Sequence, residues 1–262
     1  MDLHLQGKVV AITGASEGIG KAAAMSFAKE GCKVAICSRS QKKLDACRQE
    51  FKEAGYDLYT KSVDVSDSDA LYAFVDEIYK EFGRIDIWVN NTAQTVVKSI
   101  LELELDEWNR IMNTNLNSYF IGTQAAGRYM KEQGGGVIVN VASYGGLMPP
   151  MYRSAYCTSK HAINWLTRCS AAEFAPFGIR VNAAAPGTIN TAMQAAAGRT
   201  AADVEKVAKN FALHRPGEPD EVANVILFLA SDMSSYCDGI IVECSGGKFL
   251  AQDCDTAWTQ KR

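Results

Sequence analysis

Short apolar runs alternate along this chain with longer stretches whose apolar positions recur at the helical period. The short runs, such as 9–12 and 137–141, are nearly continuously apolar, which is typical of parallel strands covered by helices on both faces. The pattern predicts strands over 8–13, 33–38, 58–64, 86–90, 136–142, 180–184 and 239–243, and helices over 18–30, 41–54, 67–82, 106–132, 155–175 and 219–231.

The repeated strand–helix order predicts a single doubly wound α/β domain, Rossmann-like, with a parallel seven-stranded sheet and helices on both faces. No low-complexity linker, internal repeat or change in composition divides residues 1–262, so one domain is favoured over two. Two segments have a weak pattern and are expected to be weakly structured. They are 187–215, interpreted as a substrate loop, and the polar C-terminal tail, 248–262.

Composition narrows the possible partners. The chain has 262 residues, 47% of them hydrophobic, which is enough for a substantial core. Its net charge of -3 shows no basic surplus, so neither nucleic acid nor an anionic membrane surface is an expected partner. No apolar run approaches the roughly 20 residues that span a bilayer, and the N-terminus lacks a basic segment followed by an apolar stretch. We therefore expect a cytoplasmic protein that acts on a small molecule.

Cysteine and histidine usage argues against disulfides and against a metal site. Eight cysteines are present, but no two form a Cys-x-x-Cys pair, and a chain of this length needs no disulfides. The three histidines, His4, His161 and His214, are too scattered to bind zinc. We expect reduced thiols and no metal.

Three glycines follow the first predicted strand, in the order Gly14-x-x-x-Gly18-x-Gly20. Glycines at a strand-to-helix turn let the backbone approach a pyrophosphate, whose charge then lies at a helix N-terminus. The spacing meets the common fingerprint Gly-x-Gly-x-x-Gly only approximately. The candidate cofactor contacts in this turn are Gly14, Ser16, Gly18, Ile19 and Gly20.

The end of the second predicted strand indicates which dinucleotide is bound. NAD sites carry an acidic residue here for the ribose 2'-hydroxyl, whereas this chain has Ser38-Arg39-Ser40. A guanidinium flanked by hydroxyls matches a 2'-phosphate, which favours NADP(H) over NAD(H). Glu17 opposes this interpretation, because it places a carboxylate in the phosphate-binding turn.

Further motifs are Asn90-Asn91-Thr92-Ala93, Asn115, Ser143, Tyr156-x-x-x-Lys160 and Pro186-Gly187. With the turn at 13–20, the chain from about residue 7 to residue 249 resembles the classical short-chain dehydrogenase/reductase family. The resemblance implies a catalytic tetrad of Asn115, Ser143, Tyr156 and Lys160. It also implies a homotetramer, with helices 106–132 and 155–175 at one interface and the C-terminal region at another. The implied cofactor contacts beyond the turn are Ser38, Arg39, Asp64, Val65, Asn90, Asn91, Tyr156, Lys160, Pro186, Gly187, Ile189 and Thr191.

The tetrad has a chemical rationale. Tyr156 and Lys160 lie four residues apart, hence on one helix face, where the lysine charge favours the phenolate. Tyr156 can then accept the proton of a substrate alcohol as hydride leaves, and return it in ketone reduction. Ser143 can hydrogen-bond the substrate oxygen, and Asn115 can hold a water that links Lys160 to solvent. A serine hydrolase is excluded because Ser143 lies in no Gly-x-Ser-x-Gly motif and no histidine is placed as its base.

Two motifs depart from the family pattern. Thr92-Ala93 replaces the usual Ala-Gly and adds bulk beside the cofactor. Ser245 stands where an aspartate is usual before the paired glycines. We expect structural adjustments rather than lost activity.

The segments on either side of Tyr156 predict a largely apolar substrate, a hydroxysteroid being one example. Loop 146–152 is apolar and 192–197 can fold over it, so Met148 and Met193 join Ser143 and Tyr156 as candidate substrate-binding residues. A reductase of 3-oxoacyl thioesters is the alternative enzyme, and it would have basic residues near the pocket mouth for an acidic carrier protein. A catalytically silent dinucleotide-binding sensor is the alternative from another class.

Overall fold

The computed structural model describes residues 2–248, 250 and 258. All seven strands in this part of the chain pair in parallel, in the order β3-β2-β1-β4-β5-β6-β7. They are β1 (Val9–Thr13), β2 (Lys33–Ser38), β3 (Leu58–Ser62), β4 (Ile87–Asn90), β5 (Gly136–Val141), β6 (Ile179–Pro186) and β7 (Ile241–Cys244). The predicted doubly wound parallel sheet is therefore confirmed.

Helices connect the strands and are started and ended by local signals. The side chains of Ser40 and Asp67 accept hydrogen bonds from the first turns of α2 and α3, and Gly83, at a φ of 75°, ends α3. The helices are α1 (Gly18–Lys29), α2 (Gln41–Glu53), α3 (Ser68–Phe82), α4 (Leu105–Met112), α5 (Ser118–Glu132), α6 (Ser154–Phe174), α7 (Ala192–Ala196), α8 (Ala201–Ala208) and α9 (Pro219–Ala230). No helix in the described ranges is long and apolar enough to cross a membrane.

Two sequence expectations need correction. The helical run predicted over 106–132 is continuous, but it contains a π-helical turn at Asn113–Asn117 that separates α4 from α5. The segment 187–215, expected to be weakly structured, contains α7 and α8, because Thr200 caps α8 by exchanging hydrogen bonds with Asp203. The expectation for the tail lies outside the described residues, except at 248, 250 and 258.

The core has two layers because successive strand residues face opposite sides of the sheet. Val10 and Ile12 of β1 pack in the cluster that includes α1, α2 and α9. Val9 and Ala11 pack in the cluster that includes α3 and α5. Burial of both faces explains why the strands read as apolar runs in the sequence.

The order of the strands places the candidate site. β1 lies between β2 and β4, so successive crossovers leave β1 in opposite directions. Such a switch point opens a crevice at the carboxyl ends of the strands, which is where ligands bind in doubly wound sheets.

Candidate active site

A cleft of about 330 Å³ lies at the carboxyl ends of β1, β2, β4, β5 and β6. It brings together most of the residues singled out from the sequence. They are Gly14, Ser16, Gly18, Ile19, Ser38, Arg39, Asp64, Val65, Asn91, Ser143, Tyr156, Lys160, Pro186, Gly187, Ile189, Thr191 and Met193. Gly20, Asn90, Asn115 and Met148 are not among the residues that line it.

The glycine turn has the geometry of a phosphate cradle. Gly14 and Gly18 have φ values of 64° and 59°, which residues with a Cβ rarely adopt. A Cβ on Gly20 would lie 2.5 Å from Asn91 Nδ2, and that amide donates to the carbonyls of Thr13 and Gly14 at 2.9 Å. The side chain of Asn91 thus fixes the backbone of the turn through these hydrogen bonds. The N-terminus of α1 faces the cleft. The donor set fits a dinucleotide pyrophosphate.

Thr92, the departure from the family pattern, packs directly on this turn. A Cβ on Gly14 would lie 2.6 Å from Thr92 Oγ1, so the bulk of Thr92 occupies the space that the glycine leaves. Thr92 Oγ1 is buried and has no hydrogen-bond partner among the described residues. Thr92 therefore packs against Gly14, where a residue with a Cβ would clash.

Charged groups gather at the end of the cleft near β2. Arg39 and Lys43 both line it. Lys43 lies in the first turn of α2 and was not singled out from the sequence. Lys43 Nζ lies 2.8 Å from Glu17 Oε2, so the carboxylate of Glu17 is paired. Ser38 Oγ has no hydrogen-bond partner within the described part of the chain. Burial opposes ionisation of Asp64, but bonds from Ser66 and the charge of Arg39 lower its pKa overall.

Lys160 is fully buried beneath Tyr156. Its Nζ donates to the carbonyl of Val141 at 2.7 Å and to the hydroxyl of Tyr119 at 3.2 Å. Tyr119 was not identified from the sequence. Nζ lies 5.9 Å from the centre of the Tyr156 ring. Burial lowers the pKa of Lys160 to about 7. The lysine therefore exchanges its proton near neutral pH in the protein without cofactor.

The pKa of Tyr156 differs from the sequence expectation. Burial raises it, while a hydrogen bond with Ser143 and the charge of Arg153 act in the opposite direction. We expected the charge of Lys160 to lower it. In the protein without cofactor, desolvation is the largest influence, so Tyr156 is held as the neutral phenol.

Asn115 lies in the π-helical turn, behind the cleft. Its Oδ1 accepts from Gln94 N at 2.8 Å, and its Nδ2 donates to Gln94 O at 2.9 Å and to Ser159 Oγ at 3.2 Å. The amide thus fixes the chain after β4 to the helix that carries Tyr156. The water-holding role of Asn115 expected from the sequence stays a prediction.

The far end of the cleft is more polar than the sequence suggested. Met148 is 47% exposed and lies outside the cleft, whereas Arg153 and Arg199 line it. Tyr144 also lines it, within a short 3-10 turn that follows Ser143. The sequence analysis missed both arginines because neither belongs to a motif.

Comparison with known proteins places these features in a family. A model described as short chain dehydrogenase matches residues 8–202. A 3-oxoacyl-(acyl-carrier-protein) reductase of Thermotoga maritima is 38% identical over 245 residues, which cover 94% of this chain and 99% of that protein. A 3alpha-hydroxysteroid dehydrogenase of Mediterraneibacter gnavus is 36% identical, over 94% of this chain and 98% of that protein. Among solved structures, a gluconate 5-dehydrogenase from Burkholderia cenocepacia in complex with NADP and tartrate has a TM-score of 0.90 and 30% identity, over 95% and 98% of the two chains.

Proposed function

The chain belongs to the short-chain dehydrogenase family, and from that premise we propose that it is an NADP(H)-dependent oxidoreductase that interconverts a secondary alcohol and a ketone. The observation that carries this proposal is that Ser143 and Tyr156 border the same cleft as the glycine turn. A proton-transfer group and a dinucleotide cradle in one cleft suit hydride transfer coupled to proton transfer.

In the proposed reaction, the residues of the site position the substrate oxygen and transfer its proton. A bound nicotinamide supplies or accepts the hydride. Tyr156 Oη donates its proton to the ketone oxygen in reduction and accepts the alcohol proton in oxidation, while Ser143 Oγ hydrogen-bonds the same oxygen. Lys160 lies beneath the phenol and supplies charge there when it is protonated. Asn115 acts indirectly by fixing Gln94 and Ser159. The raised pKa of Tyr156 keeps the proton that reduction requires.

The preference for NADP(H) is supported by the charges near β2. Arg39 lines the cleft where the ribose 2'-phosphate is expected. Ser38 lines it too, and its hydroxyl has no hydrogen-bond partner among the residues that the structure describes. Glu17, whose negative charge in the turn opposes NADP(H), forms an ion pair in which its Oε2 lies 2.8 Å from Lys43 Nζ. The pairing offsets its charge and leaves the guanidinium of Arg39 for the 2'-phosphate, while the carboxylate of Asp64 lines the same end of the cleft.

Two substrate classes are supported by different observations. A largely apolar substrate such as a hydroxysteroid is supported by Met193, which lines the cleft, by the exposed apolar residues Met151 and Tyr152 beside it, and by the hydroxysteroid relative. A 3-oxoacyl thioester is supported by Arg153 and Arg199, which supply the basic residues that this alternative requires, and by the reductase relative.

The test is a screen of ketones and alcohols with both cofactors, followed by nicotinamide absorbance. A steroid ketone, a polar keto-sugar and a 3-oxoacyl thioester are compared by kcat/KM under one set of conditions. Turnover with NADP(H) in preference to NAD(H) supports the proposal. A higher kcat/KM for the steroid ketone supports the apolar substrate class, and a higher kcat/KM for the 3-oxoacyl thioester supports the thioester class. Tight dinucleotide binding without turnover of any substrate would instead support the catalytically silent sensor.

We also propose the homotetramer that the resemblance implies. Exposed apolar side chains on α4, α5 and α6, namely Leu105, Phe120 and Trp165, support helix-to-helix contact between subunits. Light scattering should give four chains per particle, and Phe120→Glu should reduce that number because it places a charge in the contact. A monomeric wild-type protein would contradict the proposal.

A further inference from the structure

Two arginines converge on the end of the cleft where the substrate is expected. Arg153 immediately precedes α6, three residues before Tyr156, and Arg199 lies between α7 and α8. Both side chains line the cleft together with Ser143 and Tyr156, and both residues are partly buried. Two elements distant in the sequence thus bring positive charge to one place.

The arginines are close enough to influence each other. Burial lowers the pKa of Arg153, and the charge of Arg199 lowers it further. Lys248 adds a third cation on the same side, since its pKa is lowered by burial and by Arg199. Like charges gathered in a partly buried cleft repel each other, and an anion bound between them removes that cost.

Among the described residues, no carboxylate forms an ion pair with either arginine. Arg84 and Arg215 form ion pairs with Asp86 and Glu221, whereas within the described ranges neither Arg153 nor Arg199 has a carboxylate at ion-pair distance. Arg199 Nη1 donates to the neutral amide oxygen of Gln194 at 3.1 Å. The charge of Arg199 also reaches Asp203, but that exposed carboxylate is bound to Thr200.

We propose that the substrate carries an anionic group, a carboxylate or a phosphate, which Arg153 and Arg199 bind while the reacting oxygen lies at Ser143 and Tyr156. The inference rests on the proposed function, because it concerns the same site. Guanidinium groups bind carboxylate and phosphate through paired hydrogen bonds. Two of them can therefore select a substrate that has an acidic group and orient that group in the cleft. The phosphates of the dinucleotide are already matched by the glycine turn and by Arg39, at other parts of the cleft. A substrate with an apolar body and an acidic group uses both Met193 and the arginines.

Matched substrate pairs test the inference. They are a keto bile acid and its methyl ester, an oxo fatty acid and its methyl ester, and a keto-sugar phosphate and the free keto-sugar. For at least one pair, wild-type kcat/KM should favour the acid by about tenfold or more, the usual effect of a charged hydrogen bond. Arg153→Gln and Arg199→Gln should each reduce that ratio by about tenfold, and the corresponding Lys variants should restore part of it.

Two controls separate this role from a structural one. Arg48→Gln changes an exposed arginine of α2 outside the cleft and should leave the acid-to-ester ratio unchanged. The dissociation constant of NADPH should stay within about twofold of wild type in both arginine variants, which also shows that they fold. A loss of NADPH affinity equal to the loss of kcat/KM would assign the arginines to the cofactor and overturn the inference.

Anion binding gives a readout without turnover. Succinate and inorganic phosphate are titrated by calorimetry into the protein loaded with NADP, and the stronger binder distinguishes a carboxylate from a phosphate. Weakening by about tenfold in both arginine variants is expected. The inference is overturned if neither anion binds, if the esters are preferred throughout, or if the arginines affect only thioesters on an acidic carrier protein. Failure of every substrate with either nicotinamide, with anion binding intact, refutes the proposed function alone.

Discussion

The two ends of the cleft are built in different ways. The cofactor end is built around main chain at the ends of buried strands, shaped by Gly14, Gly18 and Gly20, with charged side chains such as Arg39 beside it. The substrate end consists of long side chains, including Arg153 and Arg199, carried by a loop and by the segment around α7 and α8. Side chains on connecting segments can change without altering the sheet, so substrate choice can vary while cofactor binding and proton transfer are kept. A change at one end should therefore leave the other end unchanged, except at Tyr156, where the two ends meet.

The largest effect is expected where the two ends meet. Tyr156→Phe removes the hydroxyl that transfers the proton, and kcat should fall by about hundredfold or more. NADPH affinity should be nearly unchanged, because the ring remains. Tyr236→Phe, which alters a fully exposed tyrosine, is the control and should retain wild-type kcat. Near-normal turnover by the Tyr156→Phe variant would show that another group carries the proton.

A change at the cofactor end should affect both stability and binding. An added Cβ at Gly20 would lie 2.8 Å from the carbonyl oxygen of Gly14, so Gly20→Ala should cost about 1 to 3 kcal/mol of unfolding free energy and weaken NADPH binding. Gly55→Ala is the control, since Gly55 has a φ of 85° and open space around it. It should cost about 1 kcal/mol in strain alone and leave NADPH affinity unchanged. Equal losses of affinity in the two variants would argue against the cradle.

The choice of dinucleotide should depend on Arg39. Arg39→Asp replaces the group expected at the 2'-phosphate with a like charge, and NADPH affinity should fall by about tenfold or more while NADH affinity rises. Arg48→Asp changes an exposed arginine of α2 outside the cleft and should alter neither constant. A wild-type preference for NADH in binding titrations would contradict the assignment.

The last effect is spread over several pH units and concerns the buried lysine. Lys160 has a pKa of about 7 in the folded protein without cofactor, against 10.5 in the unfolded chain. Between these values the unfolded chain binds the extra proton, so this group makes the unfolding free energy rise with pH. The slope should be larger in wild type than in Lys160→Met by up to about 1.4 kcal/mol per pH unit, measured by denaturant titration. Parallel pH profiles would show that the lysine keeps its usual pKa.

The sequence predicts most of the sheet and the cofactor end, because both depend on local patterns. Continuous apolar runs mark strands buried on two faces, and a glycine turn between a strand and a helix marks the cradle. The π-helical turn at Asn113–Asn117 has no such signal, so α4 and α5 were predicted as one helix. Helices α7 and α8 were not predicted because five and eight residues are too few to show a clear helical period of apolar positions.

The substrate end could not be predicted, because it is formed by contacts between distant segments. Arg199 is close enough for its charge to affect the pKa values of Arg153 and Tyr144, which lie more than 40 residues earlier in the chain. Met148 was selected for its apolar side chain, but the loop leaves it exposed. The pKa of Lys160 was also missed, because spacing reveals its helix face but does not reveal its burial.

The most direct test of the account is a single-turnover experiment with NADPH-loaded protein and the best ketone from the screen. Wild type should oxidise one NADPH for each alcohol formed, and deuterium at the transferred position of NADPH should slow that step. Tyr156→Phe should bind NADPH as wild type does and show at least the hundredfold slower step. Ketone consumption without matching NADPH oxidation, or a Tyr156→Phe variant as fast as wild type, would contradict the claim that one cleft combines the dinucleotide cradle with proton transfer at Tyr156.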